Sequence, residues 1–429
     1  MERRAYLRTS VYLASVWLIL LIFGVNAFGQ GNLKLGRLSM TPALKYELRY
    51  DDNVFIESTN EQDDTIHIIT PSILFGYTGA TPGNYFQAGY TGDFALYTDL
   101  TDNNWQRHSP FASFGYESPK GFYVQLSDNF SWSKDPFGSF TDFDQSNRFG
   151  LGTNTERYDN TGKVLGGYHF SDRWFVETYY QNFLIRYDLD KDAWQDRIDN
   201  GFSGALFYRF TPKTSVFVEY RGTKAEYDEQ NDGIFDVGRD TFWSSDTSQD
   251  YWLHDALVGV RFEPGGKISG EAKVGYGKKD FDNSVDVLGN EYKDAGDFIF
   301  NSFLTYTPTQ RTTVSLNAQR SPLGSPDADA PSFVNTLVQL SLTQGFAYGL
   351  SGHLLGGWNY DDYQDENPGV PNKYFNRYTV RIGLDWAIKS WIKVGVGYEY
   401  EDQQASDEAA FGTSEYSVNR AKFIIAGTW

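Results

Sequence analysis

Stretch after stretch of this chain alternates apolar and polar residues with a period of two, and no other feature limits its fold so tightly. Leu44, Tyr46, Leu48 and Tyr50 share one face, with Lys45, Glu47 and Arg49 on the other. Val314, Leu316 and Ala318 oppose Thr313, Ser315, Asn317 and Gln319. Tyr378, Val380, Ile382, Leu384 and Trp386 oppose Thr379, Arg381, Gly383 and Asp385, and Ile392, Val394, Val396, Tyr398 and Tyr400 oppose Lys393, Glu399 and Glu401. A helix would need a period near 3.6, so these segments are strands. Each presents one face to water and the other to an apolar phase.

Composition decides what that phase is. Aromatic residues make up 17% of the chain, there are 42 glycines, and mean hydropathy is −0.50. Beyond the first 30 residues no apolar run approaches the ~20 residues a spanning helix needs. A membrane barrel tolerates such low hydropathy because only every second strand residue must be apolar. The net charge of −19 argues against nucleic-acid and anionic-lipid partners. With no cysteine in the chain, disulfides, thiolate metal sites and an acylated lipobox are excluded. The length alone would admit more than one soluble domain, but no Pro/Ser-rich linker divides it. A soluble β-sandwich would have shorter strands and less need of aromatics at strand ends.

The N-terminus has the layout of a secretory leader. Arg3, Arg4 and Arg8 precede an apolar run from Val11 to Val25, and Ala27-Phe28-Gly29 supplies small residues for cleavage. The expected domains are a signal peptide over 1–29 and a barrel over 30–429. The run is short for an anchor. Glu2-Arg-Arg-Ala-Tyr-Leu-Arg8 faintly echoes a twin-arginine signal, but that route carries folded cargo and a barrel crosses unfolded. At the other end, Phe423, Ile425 and Trp429 share a strand face opposite Lys422 and Thr428. That pattern suits a last strand that pairs with the first, its aromatic at the membrane interface.

The connections fall into two classes. Thr81-Pro-Gly-Asn84, Ser118-Pro-Lys-Gly121, Thr211-Pro-Lys213, Glu263-Pro-Gly-Gly266 and Thr307-Pro-Thr-Gln310 read as tight turns. Longer acidic stretches lie near 51–64, 133–157, 228–248 and 361–373. The expected fold is all-β: a transmembrane antiparallel barrel of about 18 strands, with short periplasmic turns and long acidic extracellular loops. The segments around 155–200 alternate poorly and leave the count open by about two strands. Tyr77, Tyr116, Trp132, Phe170, Trp174, Phe210, Tyr220, Phe262, Tyr306 and Trp386 stand where strands meet connections, as two interfacial girdles require.

The opening strand runs into Tyr50-Asp51-Asp52-Asn53-Val54-Phe55. These six residues and the strand before them resemble the start of the putative β-barrel porin 2-like family. The resemblance implies an outer-membrane barrel without catalytic residues, one that accompanies exopolysaccharide or capsule secretion. It implies periplasmic polysaccharide export proteins as partners and a polysaccharide as the substrate. One departure from the usual outer-membrane ending is Gly427, where a larger apolar residue commonly stands. In physical terms Asp51, Asp52 and Asn53 can cap the first hairpin through side-chain to backbone hydrogen bonds, or contact polymer or ions.

The polar strand face supplies the candidate pore lining: Lys45, Glu47 and Arg49; Gln125 and Asn129; Glu219 and Arg221; Glu271 and Lys273; Arg311, Asn317 and Gln319; Arg381 and Asp385; Lys393 and Glu399. Gln87, Asp93 and Tyr123 share its phase. A charge facing lipid at mid-depth would cost about 2–4 kcal/mol, which sets this face inward. Such groups could bind hydroxylated sugars weakly and pass them, or form a salt-bridged plug.

Acidic pairs mark the loops: Asp63-Asp64, Asp188-x-Asp190-x-Asp192, Asp228-Glu229, Asp361-Asp362 and Asp365-Glu366. Solvated loops are the default for such pairs, with loose divalent bridging to lipopolysaccharide as the alternative. Asp228-x-Gln230-x-Asp232-Gly233 starts like a Ca²⁺ loop, but its twelfth position is Arg239 where a carboxylate is needed. The five histidines (His67, His108, His169, His254 and His353) show no zinc spacing, and no serine completes a triad around His254-Asp255. No enzyme activity and no cofactor are expected. The expected partners are outer-membrane lipid, lipopolysaccharide and the barrel-assembly machinery. The expected role is a passive conduit or accessory pore for exopolysaccharide or capsule secretion; the main alternative is a diffusion porin for sugars or ions, followed by a barrel hydrolase and by a structural or adhesive barrel.

Overall fold

A computed structural model describes residues 33–134, 156–188, 196–227, 235–236, 241–242, 250–282, 295–324, 332–363, 374–406 and 415–429. Eighteen strands form the wall. They are β1 (Leu38–Asp51), β2 (Asp64–Thr78), β3 (Tyr85–Tyr97), β4 (Trp105–Glu117), β5 (Phe122–Ser133) and β6 (Arg157–His169). Next come β7 (Trp174–Tyr187), β8 (Arg197–Thr211), β9 (Thr214–Tyr227), β10 (Tyr251–Phe262), β11 (Ile268–Phe281) and β12 (Ala295–Thr309). The wall ends with β13 (Thr312–Gly324), β14 (Ser332–Gly345), β15 (Leu350–Tyr363), β16 (Tyr374–Lys389), β17 (Ile392–Ala405) and β18 (Tyr416–Thr428). Each pairs antiparallel with its sequence neighbours, and β18 returns to pair with β1 through Ala43↔Thr428 to Asp51↔Arg420. The sheet is a closed antiparallel barrel, which leaves no edge running the height of the wall.

The seam is offset, so Leu38 to Met40 have no partner on β18. A short strand, Leu33–Leu35, turns back at Gly36 (φ +64°) and pairs with those three residues. The exposed backbone of that edge is thereby covered.

The tight turns form where Pro and Gly place them. At Ser118-Pro-Lys-Gly121, the Gly121 N–H donates to the Ser118 carbonyl at 3.0 Å with φ +84°, and a Cβ there would meet the His169 carbonyl oxygen at 2.9 Å. The Thr307–Gln310 expectation is corrected: β12 continues through Pro308 to Thr309, and the reversal falls at 310–311. The Pro lacks a ladder donor, and the register shifts between Tyr306 and Thr309. The acidic stretch expected over 361–373 is corrected too, because Asp361 and Asp362 belong to β15.

The register propagates one face around the ring without a break, and ion pairs show which face is inside. Arg261 on β10 reaches Glu177 on β7 at 2.7 Å, past two intervening strands. Lys273 on β11 reaches Glu219 on β9 at 2.7 Å. Such chords form only across a concave surface. The other face is the apolar exterior: Val218, Val258 and Val274 lie side by side in register, each exposed. Val258 sits midway along β10, so Val258→Arg is expected to destabilise the folded barrel by about 2–4 kcal/mol, as a charge at the bilayer midplane does. Urea titration of the protein folded into lipid vesicles checks this; an unchanged midpoint would place Val258 off the lipid face.

Candidate functional site: the inner face of the barrel

Fifteen of the sixteen candidate lining residues share the inner face given by the register. These are Lys45, Glu47 and Arg49 on β1, Gln125 and Asn129 on β5, Glu219 and Arg221 on β9, Glu271 and Lys273 on β11, Asn317 and Gln319 on β13, Arg381 and Asp385 on β16, and Lys393 and Glu399 on β17. Arg311 is different. Its phase is right, but β13 begins one residue later, so it stands in the turn at the rim.

Three constructions fill this face. Along the seam, Arg420 donates from Nε to Asp51 at 2.8 Å and from Nη1 to Glu399 at 3.0 Å. Glu399 also receives Lys422 at 2.7 Å and Arg381 at 3.0 Å. Glu47 holds Arg49 at 2.7 Å and Lys45 at 3.5 Å. Asp51, Glu47, Glu399 and Arg420 are all buried, so each of these charges relies on its partners to offset the loss of water around it.

A second group arches over the wall near the short-turn rim. Tyr123 on β5 donates to Glu177 at 2.6 Å, and Arg261 grips both oxygens of that carboxylate at 2.7 and 2.8 Å. The Arg261 Nε donates to Glu271 at 2.8 Å. Gly167 lies under this arch; a Cβ there would come within 2.1 Å of the Tyr123 ring. The guanidinium rests 4.2 Å from the centre of the Phe207 ring, which stacks between Phe175 and Phe217 at 4.4 and 4.7 Å. Among these residues Tyr123 and Glu271 are legible in the sequence. Glu177, Phe175 and Phe207 escape sequence reasoning because apolar inward residues blur the alternation of β7 and β8; Arg261 and Phe217, on β10 and β9, escape it as well.

The third construction is the Tyr50–Phe55 segment. Tyr50 points outward and donates to Asp63 at 3.2 Å. Asp51 Oδ1 accepts from the Asn53 backbone N–H at 3.1 Å, which is the expected local cap. The segment also reaches across the seam: Asp52 accepts from the backbone and side chain of Asn419, both at 2.7 Å. Asn53, fully buried, donates to the carbonyls of Glu57 and Ser417 at 2.8 and 3.1 Å. Val54, with Phe55 beside it, packs on inward-facing Ile66, Ile68, Ala95, Tyr97 and Trp105, and Ile56 packs on Tyr416 and Val418. The connection 52–63 therefore lies against the inner wall of the mouth.

The acidic pairs divide. Asp64 is not solvated: its carboxylate accepts the backbone N–H groups of Thr65, Thr98, Asp99 and Leu100 and holds the next connection in place. Asp361 is buried against Asn335 and Asn359. Asp190, Asp192, the Asp228–Gly233 segment with Arg239, and Asp365-Glu366 lie outside the described residues.

The histidines do not converge. His67, His108 and His254 lie on the outer face, each 2.7 Å from a tyrosine hydroxyl (Tyr46, Tyr90 and Tyr220). His353 faces inward, 3.0 Å from Asp385. His254 and Asp255 point to opposite sides of the wall, Asp255 pairing inside with Arg221 at 2.8 Å, so they form no half-triad. Among the described residues, no group of three His, Cys, Asp or Glu is placed to hold a metal ion.

No curated protein matches the chain. Two solved outer-membrane proteins are similar to it at low identity. The outer membrane protein OpdK of Pseudomonas aeruginosa is 12% identical, with 93% of this chain and 100% of that chain covered and a TM-score of 0.47. The siderophore receptor PirA of Acinetobacter baumannii is 8% identical, with 90% and 80% covered and a TM-score of 0.43. The model of the family described as Putative beta-barrel porin 2 matches residues 26–422. The chain belongs to that family of outer-membrane barrels.

Proposed function

We propose that the protein is a diffusion channel of the outer membrane for small hydrophilic solutes, with its short turns in the periplasm and its long connections outside. The observation that carries this reading is the inner face itself: a closed apolar-coated wall presents water-exposed Gln125, Asn129 and Arg381 to its interior. The rims carry opposite charge tendencies. Each of the nine long connections between strands contains more acidic than basic residues, and none of the eight short turns does. An acidic mouth concentrates cations and repels anions.

The test is conductance of the purified protein in planar bilayers. Steady single-channel steps are expected, with a reversal potential under a KCl gradient that indicates cation preference. A preparation folded by heat-modifiable mobility that conducts nothing would overturn the proposal. The resemblance in Tyr50–Phe55 supports a second reading, export of a secreted polysaccharide. Deletion of the gene separates the two: loss of surface polymer with normal solute uptake favours export, and the converse favours diffusion.

A further inference from the structure

One side chain breaks the rule that large exposed apolar groups face outward. Phe303, in the middle of β12, is 59% exposed and lies on the inner face, opposite Glu271 on one side and Asn317 on the other. Inward Phe175, Phe207 and Phe217, by contrast, are buried and packed together in one cluster. Among the described strand residues, Phe303 is the large apolar side chain left open to the lumen.

Its neighbours are unusual in the same way. Asn301 pairs in register with Gln319, and Asn317 with Gln339, so four amides share the inner face with the ring on β12, β13 and β14, on the side away from Glu271. None of the four side chains hydrogen-bonds to another described residue, whereas the charged groups around them are engaged. Glu271 is held by Arg261 and Lys273, and Lys273 by Glu219. The wall here offers an open aromatic platform and unspent donors and acceptors, with no free charge.

We infer that this strip, Phe303 with Asn301, Asn317, Gln319 and Gln339, is a contact site for an uncharged glycan chain. The proposal rests on the channel reading and gives it a substrate class. A pyranose ring has an apolar C–H face that stacks on an aromatic ring, and a rim of hydroxyls that both donate and accept. Amides match that rim because each carries two N–H donors and a carbonyl acceptor. An ion gains nothing from an uncharged strip, and a uronate polymer is further opposed by the acidic mouth. Leaving the amides open costs nothing while water satisfies them, and a sugar replaces that water at little net change. Binding is therefore weak and reversible, as passage requires.

The experiment is saturation-transfer NMR on the full-length barrel in detergent micelles, with maltoheptaose as the uncharged probe and trigalacturonate as the charged one. Maltoheptaose is expected to show saturation at its ring C–H protons, and trigalacturonate little. Phe303→Ala should weaken maltoheptaose binding about tenfold, the loss of a stacking contact of order 1.4 kcal/mol. Phe303→Trp should retain it, which separates stacking from mere folding. Equal binding by wild type and Phe303→Ala, preference for the uronate, or no binding by a folded barrel would each overturn the strip. A barrel that conducts ions but ignores maltoheptaose would sink this proposal and leave the channel standing. One that binds the sugar without conducting would do the reverse.

Discussion

Arg420→Ala is expected to lower barrel stability by about 3–5 kcal/mol, the cost of leaving a buried carboxylate without its cation. Arg420 is the link between the first strand, through Asp51, and the two last, through Glu399. Glu399 would still hold Lys422 and Arg381 after the change, whereas Asp51, 2% exposed, would keep no cation among the described ion pairs. The loss therefore concentrates at Asp51. It follows that Asp51→Asn in the same chain should restore much of the lost stability, because an amide is far cheaper to bury than an unpaired carboxylate. Urea midpoints of the four proteins in micelles, followed by heat-modifiable gel mobility, complete the cycle. If the two single changes add without coupling, the seam is not held by this pair.

Where strand faces are chemically pure, the sequence shows the wall plainly. β1, β13, β16 and β17 were legible residue by residue, since lipid on one side and water on the other impose a strict period of two. β6 to β8 were not, for a physical reason. Leu165, Phe175, Phe183, Ile185 and Phe207 face inward there, and Phe175, Phe183, Ile185 and Phe207 are buried. An apolar lumen face beside an apolar lipid face erases the alternation. The turn 170–173 was equally silent, because no Pro or Gly marks it; the Ser171 hydroxyl accepts the N–H groups of Arg173 and Trp174 instead.

The candidate site was legible in its phase but not in its partners. Fifteen residues fell on the inner face because parity alone assigns them. Which of them are locked together depends on closure, which brings residue 51 beside residue 420. The Asp51-Asp52-Asn53 segment shows this limit well. Its local hydrogen bond to the Asn53 N–H is visible in the spacing of the residues, but its bonds to Ser417 and Asn419 exist only once the ring is complete. Phe303 is hidden for the reason that hides β7 and β8, since the segment around it, Phe298 to Tyr306, carries aromatics on both faces.

The same segment makes the connection 52–63 the element whose release should change transport most. Ile56 has φ +58°, a conformation β-branched residues avoid at a cost of roughly 1–2 kcal/mol. It is held there because its side chain is buried on Tyr416 and Val418, and because Asn53 accepts from the Glu57 N–H at 2.9 Å and donates to the Glu57 carbonyl. Asn53→Ala removes all of Asn53's side-chain hydrogen bonds from a fully buried position, and should cost the folded-in connection about 2–4 kcal/mol. Ile56→Gly relieves the backbone but forfeits about 2 kcal/mol or more of apolar burial. Together the two changes should free the connection from the inner wall while the seam pair Asp51–Arg420 keeps the barrel closed. The expected result is a higher single-channel conductance, faster protease cleavage within 52–63, and little change in the urea midpoint of the barrel. If cleavage accelerates while conductance stays at the wild-type value, the connection does not narrow the path, and the arch of Tyr123, Glu177 and Arg261 at the other rim becomes the constriction to open next.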